Sequence, residues 1–282
     1  MLQKSHFFAA KNQANIMVKC AKVVVWLILL VIGVSAKGQW KQGRMLLKVA
    51  ELPMGPVSAV DGACVAWHPI QKKYYAGMVG GPNELMRIFN EKGEPIDSCT
   101  TLANLRGLWY NPTKKLLEGN AVEYKGWFTY QLNEKGLPEK IEPVFNFDAV
   151  SNGQSVGAYL EVDAQGTVAF LFDISVHFFD ATNGVFISAV TLPELYGDTK
   201  YEINQAGLTH TALVLATGMP EAELAFVNVY KRQIDFIKLG KGYSHSLIIP
   251  QQQPLYGAFN TAFANGILWM YDQQKKVWNG YQ

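Results

Sequence analysis

Residues 89–97 read FNEKGEPID and residues 132–140 read LNEKGLPEK, the same phrase written twice, 43 residues apart. A single β-turn accounts for either copy alone. Two copies at a spacing too long for a hairpin and too short for a domain point to a repeated structural unit. The flanking sequence supports this. The stretch from Cys64, CVAWHPIQKKYYAGMVGGPNELMRIFNEKGEP, aligns with that from Arg106, RGLWYNPTKKLLEGNAVEYKGWFTYQLNEKGLP. Each reads as an apolar strand ending near a tryptophan, a Pro turn, a Lys-Lys pair opening a second strand, a polar bend, a third strand and the Asn-Glu-Lys-Gly turn. A fourth short strand follows in each copy, PIDSCT from Pro95 and PEKIEPV from Pro138.

Four strands in about 40 to 45 residues is the period of a propeller blade. Weaker copies start at Val156, with turns at Ala164-Gln165-Gly166 and Thr182-Asn183-Gly184, at Ala206, with Tyr230-Lys231-Arg232 as its last turn, and at Ser244, with Asp272-Gln273-Gln274 in that place. The isolated strand RMLLKVAEL from Arg44 suits pairing with the last blade, which closes a ring without exposed edges. No amphipathic helix of twelve or more residues is legible after Gln39. The expectation is an all-β chain, a β-propeller of four-stranded antiparallel blades closed by the N-terminal strand. Five blades are expected, and the connectors around 146–154 and 196–205 leave six open. A Greek-key sandwich is the rival, though it has no reason to repeat the turn.

The N-terminus reads as an address. Residues 23–34, VVVWLILLVIGV, are apolar throughout but too short for a helix of about 20 residues that spans a bilayer. Lys19 and Lys22 precede the run and small residues follow it, giving a signal peptide over 1–38, with Met17 a possible true start, and a single domain over 39–282. An uncleaved anchor is the alternative. No Cys stands directly after the run, so lipoprotein processing is unsupported. The expected location is secreted or periplasmic, including the cell surface, with no membrane span after cleavage. Removing the leader, which carries lysines and no acids, turns a net charge of +2 slightly negative. That gives no electrostatic case for nucleic acid.

Chemistry-bearing patterns are sparse. His68, His177, His210 and His245 have no H-x-x-x-H or C-x-x-C neighbours. His177 reads as a strand-face residue and His68 as a turn residue, while His210 and His245 fall near innermost strands and so near the channel. Cys64 and Cys99 lie on the first and fourth strands of one unit. That places them three strand spacings apart, beyond the reach of a disulfide, so both are expected as buried free thiols. Glu161 and Asp163 share one strand face, but paired acids do not recur at matching positions of successive units, as glycoside cleavage by a propeller requires. Trp67, Trp109 and Trp269 occupy strands, and Trp127 and Tyr159 lie near bends. Packing between blades is their default role, with stacking on a sugar or a partner protein as the functional one. One end face, formed by the loops between blades and between second and third strands, is expected to present Asp61, Asn83, Asn104, Arg106, Gln154, Asp173, Gln205, Glu221, His245 and Asn260. This is a mixed polar set suited to recognition.

The third-strand pattern in MRIFNEKG, FTYQLNEKG and VHFFDATNG resembles that of the secreted TolB-like and NHL-like propellers of Gram-negative bacteria. The resemblance implies a rigid ring whose end face or channel binds a ligand or protein, often without catalysis. Two functions follow. The first is an exported, non-catalytic propeller that binds a protein partner or glycan through one end face, with no cofactor. The second is a propeller hydrolase or lyase acting on carbohydrate or a lactone, with a divalent metal in the channel. The residues lean toward the first and leave the question of catalysis open.

Overall fold

The structure is a computed structural model and describes residues 43–123, 126–144, 156–162, 165–172, 174–196, 215–256 and 259–282. The strands form five four-stranded antiparallel sheets. Blade 1 comprises β2 (Gly62–His68), β3 (Lys73–Met78), β4 (Leu85–Asn90) and β5 (Pro95–Thr100). Blade 2 comprises β6 (Leu105–Asn111), β7 (Leu116–Ala121), β8 (Phe128–Leu132) and β9 (Pro138–Pro143). Blade 3 comprises β10 (Ala158–Val162), β11 (Gln165–Phe172), β12 (Ser175–Asp180) and β13 (Phe186–Thr191), and a short helix α1 (Leu192–Tyr196) follows it. Blade 4 comprises β14 (Leu215–Met219), β15 (Ala222–Asn228), β16 (Gln233–Lys238) and β17 (Gly242–Ile248). Blade 5 comprises β18 (Thr261–Ala264), β19 (Ile267–Asp272), β20 (Val277–Tyr281) and, outermost, β1 (Lys48–Pro53). The first strands touch in cyclic order, β2 to β6, β10, β14, β18 and back to β2. The fold is a five-bladed β-propeller closed by its N-terminal strand, with β1 antiparallel to β20.

The repeated phrase is the turn between third and fourth strands. Asn90 Oδ1 accepts from the Lys92 and Glu94 N–H groups at 3.0 Å, and Asn133 Oδ1 accepts from Lys135 and Leu137 at the same distance. Gly93 and Gly136 take φ of 82° and 76°, a left-handed conformation that costs glycine nothing sterically. Glycine has a second reason at the first copy, where a Cβ on Gly93 would lie 2.6 Å from the Glu51 carbonyl of the neighbouring blade. In blades 2 and 3 the turn at this place also receives a lysine from the preceding blade. Lys73 Nζ donates to the Lys135 carbonyl, and Lys114 Nζ donates to the Ala181 carbonyl at 2.9 Å. The phrase therefore recurs because each copy both turns a hairpin and docks on its neighbour.

The core sits between blades rather than within one sheet. Among the described residues five apolar clusters fill the five joints: Trp269, Trp278 and Tyr74 between blades 5 and 1, Tyr75, Met86 and Tyr130 between 1 and 2, and Trp109, Trp127 and Phe170 between 2 and 3. Leu171, Phe226 and Tyr196 fill the joint between 3 and 4, and Phe236, Met270 and Tyr281 that between 4 and 5. Each fully buried side chain of this size is worth about 1.5–3 kcal/mol, so large rings carry the joints. Cys64 and Cys99 occupy one cross-strand row, Cys64 opposite Gly77, Gly77 opposite Met86 and Met86 opposite Cys99. Both are free, Cys64 buried and Cys99 half-buried.

The strand frame of the last two units differs from that expected. Among the described residues the first strand of blade 4 is β14, the stretch 206–214 lies outside them, and Tyr230-Lys231-Arg232 joins the second and third strands of that blade rather than the third and fourth. The stretch from Ser244 completes the outermost strand of blade 4, and blade 5 starts at Thr261. The cause is a shared turn. His68, Asn111, Asn228 and Asp272 each cap a following turn, accepting from backbone N–H groups two or three residues on, and Lys72, Lys115, Arg232 and Lys276 close those turns at φ between 51° and 59°. In blades 1 and 2 this turn joins the first and second strands, and in blades 4 and 5 it joins the second and third.

Candidate functional site

The five first strands enclose a channel with a cavity of about 220 Å³. Its wall combines small residues, such as Ala66, Gly157 and Ala216, with the rings of Trp67, Trp109, Tyr110, Tyr159 and Phe263. The rings come from blades 1, 2, 3 and 5. Among the described residues no Asp, Glu, His, Lys or Arg lines the cavity. Gly157 lets the wall close up, because a Cβ there would meet Phe170 at 2.8 Å and Trp109 at 2.9 Å.

The rings are held from behind. Trp67 packs on Tyr74, with centroids 4.5 Å apart, and the Tyr74 hydroxyl accepts from Asn265 Nδ2 at 2.8 Å. Tyr110 packs on His68 at 4.7 Å. Trp109 Nε1 donates to Glu118 Oε2 at 3.1 Å. The Glu118 side chain is fully buried on β7, where it also accepts from Asn111 Nδ2 at 3.1 Å and from Lys114 Nζ at 3.1 Å. A buried carboxylate persists only when its oxygens are answered, and here a cation and two neutral N–H donors answer it. Lys114 passes on to blade 3 through the Ala181 carbonyl, so one network sets both a channel ring and a blade joint. Burial pushes the Tyr110 and Tyr159 hydroxyls above the usual tyrosine range, so both are neutral hydrogen-bonding groups at physiological pH.

The face that carries the loops between blades, here the upper face, holds Asp61, Asn83, Asn104, Arg106 and Asn260. Two of these seal the joint between blades 5 and 1. Asn260, buried, accepts from the Gly62 N–H at 2.9 Å and donates to Asp61 at 2.8 Å, and Asp61 also accepts from Gln273 Nε2. Asn83 is exposed. Arg106 is 8% exposed, and its guanidinium lies 5.0 Å from the centre of the Phe259 ring. Burial lowers its pKa, with Glu123 opposing through space.

Two expected members fall elsewhere. Glu221 lies in the hairpin between β14 and β15 and so faces the lower side. His245 sits in the middle of β17, the outermost strand of blade 4, stacked parallel on Phe236 at 4.6 Å, far from the innermost strand assigned to it. Both misplacements follow from the one-strand frame shift in the last two units. Gln154, Asp173 and Gln205 lie outside the described residues, as do His210, Asp163 and the stretch 1–38 expected to be a signal peptide.

Other titratable groups play local roles. His68 is buried at the end of β2, and its Nδ1 accepts from the Gln71 N–H at 3.4 Å, so it caps the turn rather than facing solvent. His177 lies between Phe172 and Phe186 on β12. Glu161 is exposed at the end of β10. Among the described residues no three His, Cys, Asp or Glu side chains gather as a metal site, and no helix is long and apolar enough to cross a membrane. Sequence reading missed Glu118, Tyr110, Phe263 and Asn265. Glu118 left a usable signal, an acid between Leu117 and Gly119 inside an apolar strand.

No family model matches the chain, and no curated protein matches it. Among solved structures it is similar to the β-propeller domain of Cps50 (Swd1) from Myceliophteria thermophila, at 9% identity, covering 78% of this chain and 82% of that one, with a TM-score of 0.42.

Proposed function

We propose that the chain is an exported, non-catalytic propeller that binds a glycan by seating one sugar ring in the aromatic channel. The observation that carries this reading is the wall itself, five rings on four blades around one cavity, with no ionic side chain among the described residues that line it. The C–H face of a sugar stacks on aromatic rings, and its hydroxyls need a few neutral partners, which Tyr110, Tyr159, Thr261 and Asn265 provide. A hydrolase or lyase needs two positioned carboxylates or a metal-ligand set at the reacting bond. This wall offers rings in their place. The upper face is a weaker candidate, because Asp61 and Asn260 are committed to the joint between blades. Export rests on the apolar run at 23–34 and its flanking residues.

Trp67 and Trp109 make the channel its own reporter. Titrating the purified chain with neutral and acidic hexoses should shift tryptophan emission, and Tyr110→Ala or Phe263→Ala should weaken binding about tenfold, the loss of one stacking contact worth about 1.4 kcal/mol. A panel of sugars that leaves the emission unchanged, with the fold intact by circular dichroism, would overturn the reading.

A further inference from the structure

A closed ring of blades still has a rim, where the outermost strand of each blade presents one backbone edge. Natural sheets blunt such edges with proline, charge or a covering segment. Among the described residues four of the five rim strands here do so. β5 carries Pro95 and Asp97, β9 carries two prolines with Glu139, Lys140 and Glu142, and β1 carries Lys48, Glu51 and Pro53. β17 has no proline and no Lys, Arg, Asp or Glu, and the chain before β1 covers it instead. The Gly43 N–H donates to the Ser246 carbonyl at 3.0 Å, the Leu46 N–H to the Ile248 carbonyl at 2.9 Å, and the Ile248 N–H to the Arg44 carbonyl at 3.0 Å.

β13, Phe-Ile-Ser-Ala-Val-Thr, has none of these devices. It holds no proline and no charged side chain, and among the described residues no other segment hydrogen-bonds to the backbone of 186–190. Val185, Phe186 and Ile187 are exposed large apolar residues, and Ser188 and Ala189 are exposed as well. The open stretch has clear ends. Val185 donates to Asn183 Oδ1 and accepts from the Asp180 N–H, and the Thr191 N–H donates to Glu194 Oε2 at 2.8 Å. Ile187 is the extra residue of a bulge against β12, but the fourth strands of blades 1, 2 and 4 carry the same irregularity, so it does not set this edge apart.

A bare edge offers main-chain donors and acceptors that another strand satisfies, and its side chains select which strand. A two-fold axis between Ser188 and Ala189 lays β13 antiparallel on itself. Ser188 then faces the partner's Ala189, Ile187 faces the partner's Val190, a β-branched pair on each side of the axis, and Phe186 faces Thr191 at the ends. A two-fold doubles every like-charge contact, and β9 laid on itself in this way would set Glu139 against Glu142. β13 has no charge to repel its own copy and none to attract an acidic or basic strand. We infer that the chain associates as a two-fold dimer through β13, two third blades joining into one eight-stranded antiparallel sheet. The contact covers Phe186 and Ile187 and is smaller than a standard interface, so the association is reversible. It stands independently of the channel reading.

Sedimentation velocity on the purified chain from about 1 to about 100 µM tests this, the weight-average mass rising from one chain toward two. Ser188→Lys, which sets a charge beside the axis in both copies, should raise the dissociation constant at least about tenfold. A chain that stays monomeric across the range overturns the inference, whether the edge is left bare or is filled by another part of the chain or by a foreign strand. A dimer that Ser188→Lys leaves unchanged overturns it too, because the association then lies elsewhere. If Ser188→Lys fails to fold, cross-linking decides. Facing residues of paired strands have Cα atoms about 4.5–5.5 Å apart, within disulfide reach, so Ser188→Cys and Ala189→Cys proteins mixed under mild oxidation should form a linked dimer that neither forms alone. No excess of linked dimer in the mixture overturns the inference.

Discussion

Blades 2 and 4 share a turn phrase, and each buries a carboxylate, yet they use both differently. Asn111-Pro-Thr-Lys-Lys115 and Asn228-Val-Tyr-Lys-Arg232 form one turn, each asparagine accepting from the lysine N–H three residues on. In blade 2 the turn joins first and second strands, and the side chain of Lys114 reaches buried Glu118. In blade 4 it joins second and third strands, and Arg232 reaches the Pro250 and Gln253 carbonyls at 2.7 Å. The buried carboxylate of blade 4, Asp235, is 2% exposed, and its donors among the described residues are neutral: Tyr196, Gln233 and Ser246. Glu118 therefore depends on a cation and sets a channel ring, whereas Asp235 depends on hydroxyl and amide groups and pins α1 to its blade.

That contrast breaks most readily at the carboxylates. Glu118→Ala leaves Lys114, Trp109 and Asn111 facing a void and should cost about 3–5 kcal/mol in urea unfolding, the range for breaking a buried pair. Asp235→Ala removes only bonds from neutral donors and should cost about 2 kcal/mol. Equal losses would mean that the cation adds nothing at blade 2.

A smaller effect distinguishes blade 4 by pH. Burial holds His245 below its ordinary pKa of 6.5, against the opposing field of Glu221. The folded state then binds fewer protons than the unfolded chain, so this stability is whole above that value and is lost as pH falls below it. His68 and His177 are lowered by burial in the same sense. The urea midpoint should fall between pH 7.5 and pH 5, and His245→Phe should flatten that slope. An unchanged slope in the variant would remove His245 from the account.

The smallest effect is at the turn ends. Lys115 and Arg232 both take a left-handed φ, 59° and 51°, but only Arg232 bonds the neighbouring loop. Lys115→Gly should stabilise by under about 1 kcal/mol, by relief of backbone strain, while Arg232→Gly should be net destabilising. Thermal melts of the two variants should therefore shift in opposite directions.

The same turn marks the boundary of what could be read without a structure. The Asn-Glu-Lys-Gly phrase was decisive because its asparagine cap and its glycine are both demanded at one place in the blade. Blades 1 to 3 were legible strand by strand, and so was the closing strand. The Asn-x-x-Lys-Lys type of turn is equally strong locally but indifferent to which hairpin it closes, so the register of blades 4 and 5 slipped by one strand. Glu221 and His245 slipped with it. Trp67, Trp109 and Tyr159 were visible as candidates, but whether a ring faces a neighbouring blade or the channel depends on inter-blade packing, which periodicity does not encode. Arg106 was named as one polar residue among ten. Its distinctiveness comes from a bulge and from Phe259, which lies 153 positions away in the chain.

The pairing of β1 with β20 sets an order of assembly. The earliest of the described strands has to wait for the latest before its edge is satisfied, so the ring shuts only after the intervening blades have formed. Such long-range pairing slows folding. It also makes the last joint the place where a partly made ring stays open, with the buried rings of Trp278 and Tyr281 exposed until the two ends meet.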